Sequence, residues 1–231
     1  MARLIVVSNR VPVPKTRAAQ AGGLAVALKD VLTPGSTWFG WSGRIAEDAA
    51  ETPALVASRG VTYATLDLTR REYEQFYVGY ANGALWPLFH FRPALMKFRR
   101  EDYAGYLAVN EKLARALAKL VEPGDVIWVH DYHLIPLARY LRAAGIANRL
   151  GFFLHIPFAP ASFVATLPVA REMLNDLTHY DVAGFQTEGF ARDFRDGAAR
   201  WLDAAVDGEH VRHAGRTTRV IAAPIGIDAA P

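Results

Sequence analysis

Residues 126–158 read VIWVHDYHLIPLARYLRAAGIANRLGFFLHIPF. Two apolar runs, Val126–Val129 and Leu150–Ile156, have the character of short buried strands. Between them Leu134, Leu137, Ala138 and Leu141 recur at helical spacing over Leu134–Arg142. Strand, helix and strand of this size make one parallel βαβ unit. Polar residues mark where the runs end: His130, Asp131 and His133 after the first, His155 in the second. Ligands of open parallel sheets bind outside the carboxyl ends of the strands. Asp131 and His155 are therefore expected to face one pocket.

The same alternation extends in both directions. Downstream, Val169–Leu177 and Phe190–Leu202 read as helices and Asp181–Thr187 as a short buried strand, with Val211–Arg212 and Arg219–Ala223 as a hairpin around Gly215. Upstream, Asp102–Val121 is a long helix with Tyr106, Val109, Leu113, Ala116, Leu117 and Leu120 as its buried stripe. Arg70–Asn82 is helical with Tyr73, Phe76, Tyr77 and Tyr80 on one side. Pro87 disfavours helix at Trp86, so Leu85–His90 is expected to break it. Val61–Leu68 reads as a strand, and WFGWSG, residues 38–43, as a short strand and a loop close to a ligand. Leu4–Val7 is a buried strand feeding Ser8-Asn9-Arg10. An irregular stretch follows, and Gly22-Gly23 then opens a helix over Leu24–Leu32. Neither an internal repeat nor a linker is visible. These elements predict one domain over residues 1–231: an α/β fold with a doubly wound, mostly parallel Rossmann-like sheet and helices on both faces.

Composition narrows the functional classes. The chain has 231 residues, 52% apolar and 21% charged, as folded domains have. A net charge of +3, spread over scattered arginines, argues against nucleic acid as a partner, while an anionic small molecule needs few arginines. The absence of cysteine excludes disulfides and thiolate chemistry and suits the cytoplasm. The N-terminal apolar run is too short for a signal peptide, and no stretch approaches the roughly 18 apolar residues of a membrane span.

Asp131 is the leading chemical candidate, because an acid at the end of an apolar strand is costly to bury unless it is bonded or used. As a carboxylate it can accept two sugar hydroxyls; its structural alternative is to cap the helix that follows. His155 is either a satisfied core residue or a partner of Asp131. His130 and His133 lack a third metal ligand in any familiar spacing. Gly22-Gly23 ahead of a helix makes either an anion site or a tight turn. Arg10 can pair with a phosphate or hold its loop through an ion pair. No GxSxG nucleophile elbow occurs.

Taken together, VVSNRVP, AGGLAVAL, WFGWSG, the block from Tyr77 through Asn82 to His90, VHDYHLIPLARYLR, GFFLHIPF, GFQT and PIGID occur in an order that resembles the trehalose-6-phosphate synthases. The resemblance runs from Arg3 to Asp228 and implies the N-terminal half of a two-domain GT-B fold. It implies a retaining glycosyltransferase that joins glucose from UDP-glucose to glucose 6-phosphate, with no metal and no other cofactor. By resemblance, Arg10, Trp41, Tyr77, Trp86 and Asp131 bind glucose 6-phosphate. Gly22, Gly23 and His155 face the UDP-glucose donor, and Asp131 and His155 lie nearest the reaction. The family's DRLDYxKG-like stretch, which grips the diphosphate, does not occur in these residues. The chain is thus expected to lack the C-terminal nucleotide-sugar domain, to be inactive alone and to self-associate through an exposed cleft face that includes Trp41 and Trp86. A non-catalytic sugar-phosphate module, or a sister enzyme with another phosphorylated acceptor, also fits these motifs.

Overall fold

Each apolar run becomes a strand. The computed structural model describes residues 2–14, 28 and 31–226. Its strands are β1 (Leu4–Arg10), β2 (Thr37–Ala46), β3 (Ala54–Ser58), β4 (Val61–Thr69), β5 (Val126–His130), β6 (Arg149–Leu154), β7 (Val182–Phe185), β8 (Ala205–Asp207), β9 (His210–His213) and β10 (Arg216–Ala222). They form one sheet in the order β3-β4-β2-β1-β5-β6-β7-β10-β9-β8. From β4 across to β10 every neighbouring pair is parallel, and antiparallel strands close both ends. The chain builds β1, β2 and β4 outward in one direction. It then returns to the other side of β1 with β5 and continues through β6, β7 and β10. The order reverses between β1 and β5, and such a reversal leaves a crevice at the carboxyl ends of the two strands.

Alternation along β1 distributes side chains to both faces. Ile5 and Val7 join the larger core with Phe39, Ile127 and Val129, while Val6 packs with Leu28 and Trp38 on the opposite face. At the amino ends of β1 and β5, the Arg3 guanidinium donates to Asp125 at 3.1 and 2.6 Å and to the Leu120 carbonyl at 2.7 Å. The strands are thereby clamped at the end away from the crevice. No helix of the described residues is long and apolar enough to cross a membrane.

The helices follow the sequence pattern with instructive departures. Thr69 forms a capping box with Glu72, and Glu72 also receives Lys112 Nζ at 2.9 Å. That start leads from α1 (Arg70–Glu72) into a π-helix over Tyr73–Leu85 and then α2 (Trp86–Phe89). The expected break at Trp86 does not occur. Pro87 falls in the first turn of α2, where the winding changes from π to α and the helical run continues through Trp86, whose N–H donates to the Ala81 carbonyl. Gly79 lets the π-helix meet α3 (Arg100–Ala118): a Cβ there would stand 2.4 Å from the Asp102 carboxyl carbon. The helix expected from Leu134 begins later, as α4 (Leu137–Ala143) behind Pro136, with a 3-10 turn at Tyr132–Leu134. Next come α5 (Ala161–Val164), α6 (Ala170–Leu177) and α7 (Glu188–Leu202), the last capped by Thr187. Gly22, Gly23 and the expected helix opening behind them lie outside the described residues, apart from Leu28, Val31 and Leu32.

Candidate active site

At the carboxyl end of β1 the pairing with β2 shifts register between Ser8 and Arg10, a bulge of the kind that re-aims side chains. Ser8 Oγ fixes the bend, accepting from Trp38 Nε1 at 2.8 Å and donating to the Arg10 carbonyl at 3.0 Å. Arg10 is exposed, and its guanidinium lies against Gly43. A Cβ on Gly43 would sit 2.6 Å from Arg10 Nε, and its φ of +84° also favours glycine. Asn9 Oδ1 is buried without a hydrogen-bond partner among the described residues.

On the other side of the crevice, β5 ends at His130 and Asp131. Asp131 has φ 75° and ψ 164°, a region that side-chain-bearing residues rarely adopt. Its N–H donates to the Phe153 carbonyl at 2.8 Å, which ties it to the end of β6. Its side chain does not cap the following turn, and Oδ1 is buried and unpartnered. Burial pushes the carboxyl up to about 6, against the opposing pull of the Tyr132 and His155 backbone N–H groups. Two hydroxyls hold the turn from behind: Tyr132 donates to Asn82 Oδ1 at 2.8 Å, and Tyr106 donates to the Tyr132 carbonyl at 2.7 Å.

His155 stands beside this group. Its Nε2 lies 2.9 Å from His130 Nδ1. Burial lowers His130 to about 3 and His155 to about 4, so both rings are neutral at pH 7. His133 takes a different direction. Its ring stacks on Tyr77 at 5.5 Å and 11°, and neither of its buried nitrogens has a partner. His130 and His133 therefore do not converge, and among the described residues no three His, Asp or Glu side chains group as metal ligands.

Tyr77 is half-buried in the π-helix, with Tyr73 stacked on it at 5.4 Å and Trp41 tilted at 6.0 Å. Trp41 departs from expectation. It is 6% exposed, because Tyr73 and Tyr77 cover its ring and its Nε1 donates to the Arg44 carbonyl at 2.8 Å. It supports Tyr77 from beneath and contributes no aromatic to an exposed patch. Trp86 is 38% exposed and stacks on His90 at 4.0 Å. Gln186, after β7, was not singled out from sequence. Its Nε2 reaches the His155 carbonyl at 3.5 Å and its Oε1 accepts from Ile225 N at 3.0 Å. Its sequence signals are its place in the GFQT motif and the polar step after an apolar strand, and neither assigns it a contact.

The electrostatics of this edge point to a ligand. Of the nine buried side-chain atoms without a partner among the described residues, five belong to Asn9, His130, Asp131 and His133. All lie at the carboxyl ends of β1 and β5. Each such group costs about 1–3 kcal/mol when left unmade; of the five, Asn9 Oδ1 and Asp131 Oδ1 belong to half-buried residues, where a polyhydroxylated ligand can offer donors. The contrast is a cavity of about 630 Å³ at the amino side of β7 and β10, lined by Arg139, Arg142, His179 and Arg216. Its arginines are already engaged: Arg142 with Asp181, Arg139 with Asp176, and Arg216 with Thr178 and Asn175. It is a structural junction.

A model of glycosyltransferase family 20 matches residues 2–231. Trehalose-6-phosphate synthase of Sinorhizobium fredii is 47% identical over 100% of this chain and 51% of its own length. That of Cronobacter sakazakii is 44% identical over 99% and 48%. Among solved structures, the UDP-forming alpha,alpha-trehalose-phosphate synthase of Burkholderia vietnamiensis superposes with a TM-score of 0.94 at 47% identity, over 99% of this chain and 49% of that one. The Burkholderia xenovorans enzyme in complex with glucose-6-phosphate gives 0.90 at 43% identity, over 98% and 50%. The chain spans about half the length of the relatives it matches. Its sheet is the N-terminal half of a GT-B type fold.

Proposed function

The chain belongs to glycosyltransferase family 20, and from that membership we propose that its carboxyl edge is the acceptor side of a glucosyl transfer. Glucose passes from UDP-glucose to glucose 6-phosphate, and trehalose 6-phosphate and UDP result. The observation that carries this reading is the Asp131 Oδ1, without a partner among the described residues, across the β1–β5 crevice from the exposed Arg10. A carboxylate accepts sugar hydroxyls and a guanidinium pairs bidentately with a phosphate, so the two groups suit opposite ends of a sugar phosphate. The glucose-6-phosphate in the Burkholderia xenovorans relative supports the same ligand.

In this assignment Arg10 and Tyr77 hold the phosphate, Asp131 orients the glucose hydroxyls, and Trp86 closes the acceptor side. Trp41 acts through Tyr77. His155 faces the donor glucose; Gly22 and Gly23, assigned to the donor by the sequence resemblance, lie outside the described residues. The anomeric hydroxyl of the acceptor attacks the donor anomeric carbon on the face from which UDP departs. The carbon–oxygen bond to the diphosphate breaks, and the acceptor proton passes to the leaving phosphate oxygen. No enzyme nucleophile is required, and the rate rests on positioning and on charge stabilisation at the diphosphate. Residues 1–231 form the acceptor-binding domain and one wall of the cleft. The diphosphate grip belongs to a second wall, in the half of the relatives that these residues do not match.

A chimera tests the proposal: residues 1–231 joined to the second half of the Sinorhizobium fredii relative. It is expected to release UDP and form trehalose 6-phosphate only with UDP-glucose and glucose 6-phosphate together, while the 231 residues alone turn over neither. Dependence on glycerol 3-phosphate in place of glucose 6-phosphate, or family-like turnover by the 231 residues alone, would overturn it.

A further inference from the structure

The function proposed above leaves His130 without a task, although it is fully buried and its Nδ1 lies 2.9 Å from His155 Nε2. We propose that His130 is a positioning residue that fixes His155 as the Nδ1–H tautomer, so that His155 presents a hydrogen-bond donor to oxygen atoms of the donor ligand.

Two neutral imidazoles that share one hydrogen bond have one proton between them, so the donor at one ring fixes the acceptor at the other. Two arrangements exist. In the first, His130 Nδ1–H donates, His155 Nε2 accepts, and His155 carries its proton on Nδ1. In the second, His155 Nε2–H donates, and the proton of His130 moves to its own Nε2. That atom is buried with no partner among the described residues. The second arrangement therefore seals an N–H group away from every acceptor among the described residues, and buried side-chain donors without a partner are rare in folded proteins. The first leaves a bare lone pair there and is preferred.

The surroundings hold the pair in register. His130 ends β5 and His155 follows β6, and those strands are paired through His130 and Phe153. Trp128 covers the His130 ring at 4.3 Å, and Phe153 meets the His155 ring edge-on at 4.9 Å. Gln186 Nε2 reaches the His155 carbonyl at 3.5 Å from β7. His155 Nδ1 has no partner among the described residues, and the residue is half-buried at the open edge. An Nδ1–H group there complements a hydroxyl or diphosphate oxygen, whereas a bare lone pair would repel the latter. The geometry adds a second layer behind His155, as hydrogen-bonded partners orient imidazoles in other sites. The ligand's identity rests on the function proposed above; the tautomer does not.

Nitrogen-15 NMR of the 231-residue chain labelled at histidine reads the tautomer directly, with no ligand present. For His155, a pyrrole-like Nδ1 and a pyridine-like Nε2 are expected. His130→Asn places an amide N–H near the position of Nδ1 and is expected to keep this pattern. His130→Phe removes the donor and is expected to shift His155 toward the Nε2–H form, with backbone amide spectra checking that the fold persists. A pyridine-like Nδ1 in the unaltered chain overturns the proposal by itself, whether or not either variant folds. An unchanged His155 in a folded His130→Phe variant also overturns it. Neither result bears on glucose 6-phosphate binding, so failure here is distinguishable from failure of the acceptor assignment.

Discussion

Asp131 combines two costs at one residue. Its backbone occupies a region that generally costs about 1–3 kcal/mol for a residue with a side chain, and its carboxyl is buried without a partner for Oδ1. A carboxyl raised from 3.8 to about 6 on folding is disfavoured by about 3 kcal/mol once it is charged. The sign follows from linkage. A carboxyl whose folded value is raised stabilises the fold at low pH, and that contribution is lost as pH climbs through about 6. Asp131→Asn is therefore expected to be more stable than the unaltered chain at pH 8, by up to about 3 kcal/mol, with the gap closing toward pH 4. Urea unfolding at the two pH values checks this; a less stable variant at pH 8 would show that the carboxylate is well satisfied in the fold. Asp131 and His155 were legible in sequence because each is a polar residue at the end of an apolar run. The pairing of His130 with His155 was not, since it depends on two strands lying side by side. The burial of Trp41 was not legible for a related reason. An aromatic in a glycine-rich motif reads as exposed, and only the fold shows the Tyr73 and Tyr77 rings covering it.

The element that shapes the acceptor side is the helical run from Arg70 to Phe89. Its π-helical middle buries Phe76, Tyr80, Ala81, Ala84 and Leu85, a longer repeat than an α-helix provides, and keeps Tyr77 against His133. Sequence periodicity indicated a helix there and could not distinguish the wider winding, because three- and four-residue spacings of aromatics suit both. The expected break at Pro87 failed because the change from π to α winding places that proline in a first turn. β3 was missed because its residues are mostly exposed at the sheet edge and lack a buried alternation. Gly79 is one of the close contacts between this element and α3. Gly79→Ala forces a methyl into the Asp102 carboxylate, which Arg99 Nε holds at 2.8 Å, and is expected to cost about 1–3 kcal/mol. A chemical denaturation midpoint equal to that of the unaltered chain would contradict the close approach.

At the scale of the whole molecule, the crevice follows from strand order. Hydrophobic patterning pointed to a parallel α/β sheet, and the antiparallel pair β9–β10 was visible around Gly215. The reversal between β1 and β5 was not, because no local pattern records which strand returns to which side. That reversal brings the exposed Arg10 and the half-buried Asp131 to one crevice from positions far apart in the chain. It also separates them from the arginine-lined cavity beside β7 and β10, where the cations already have partners. The most direct test of this arrangement is isothermal titration of the 231-residue chain with glucose 6-phosphate, beside glucose and inorganic phosphate. Binding of glucose 6-phosphate at least tenfold tighter than either fragment, and its loss in both Arg10→Ala and Asp131→Ala, is the expected result. Equal binding by those variants, or tighter binding of phosphate alone, would contradict the assignment of the β1–β5 crevice as the acceptor site.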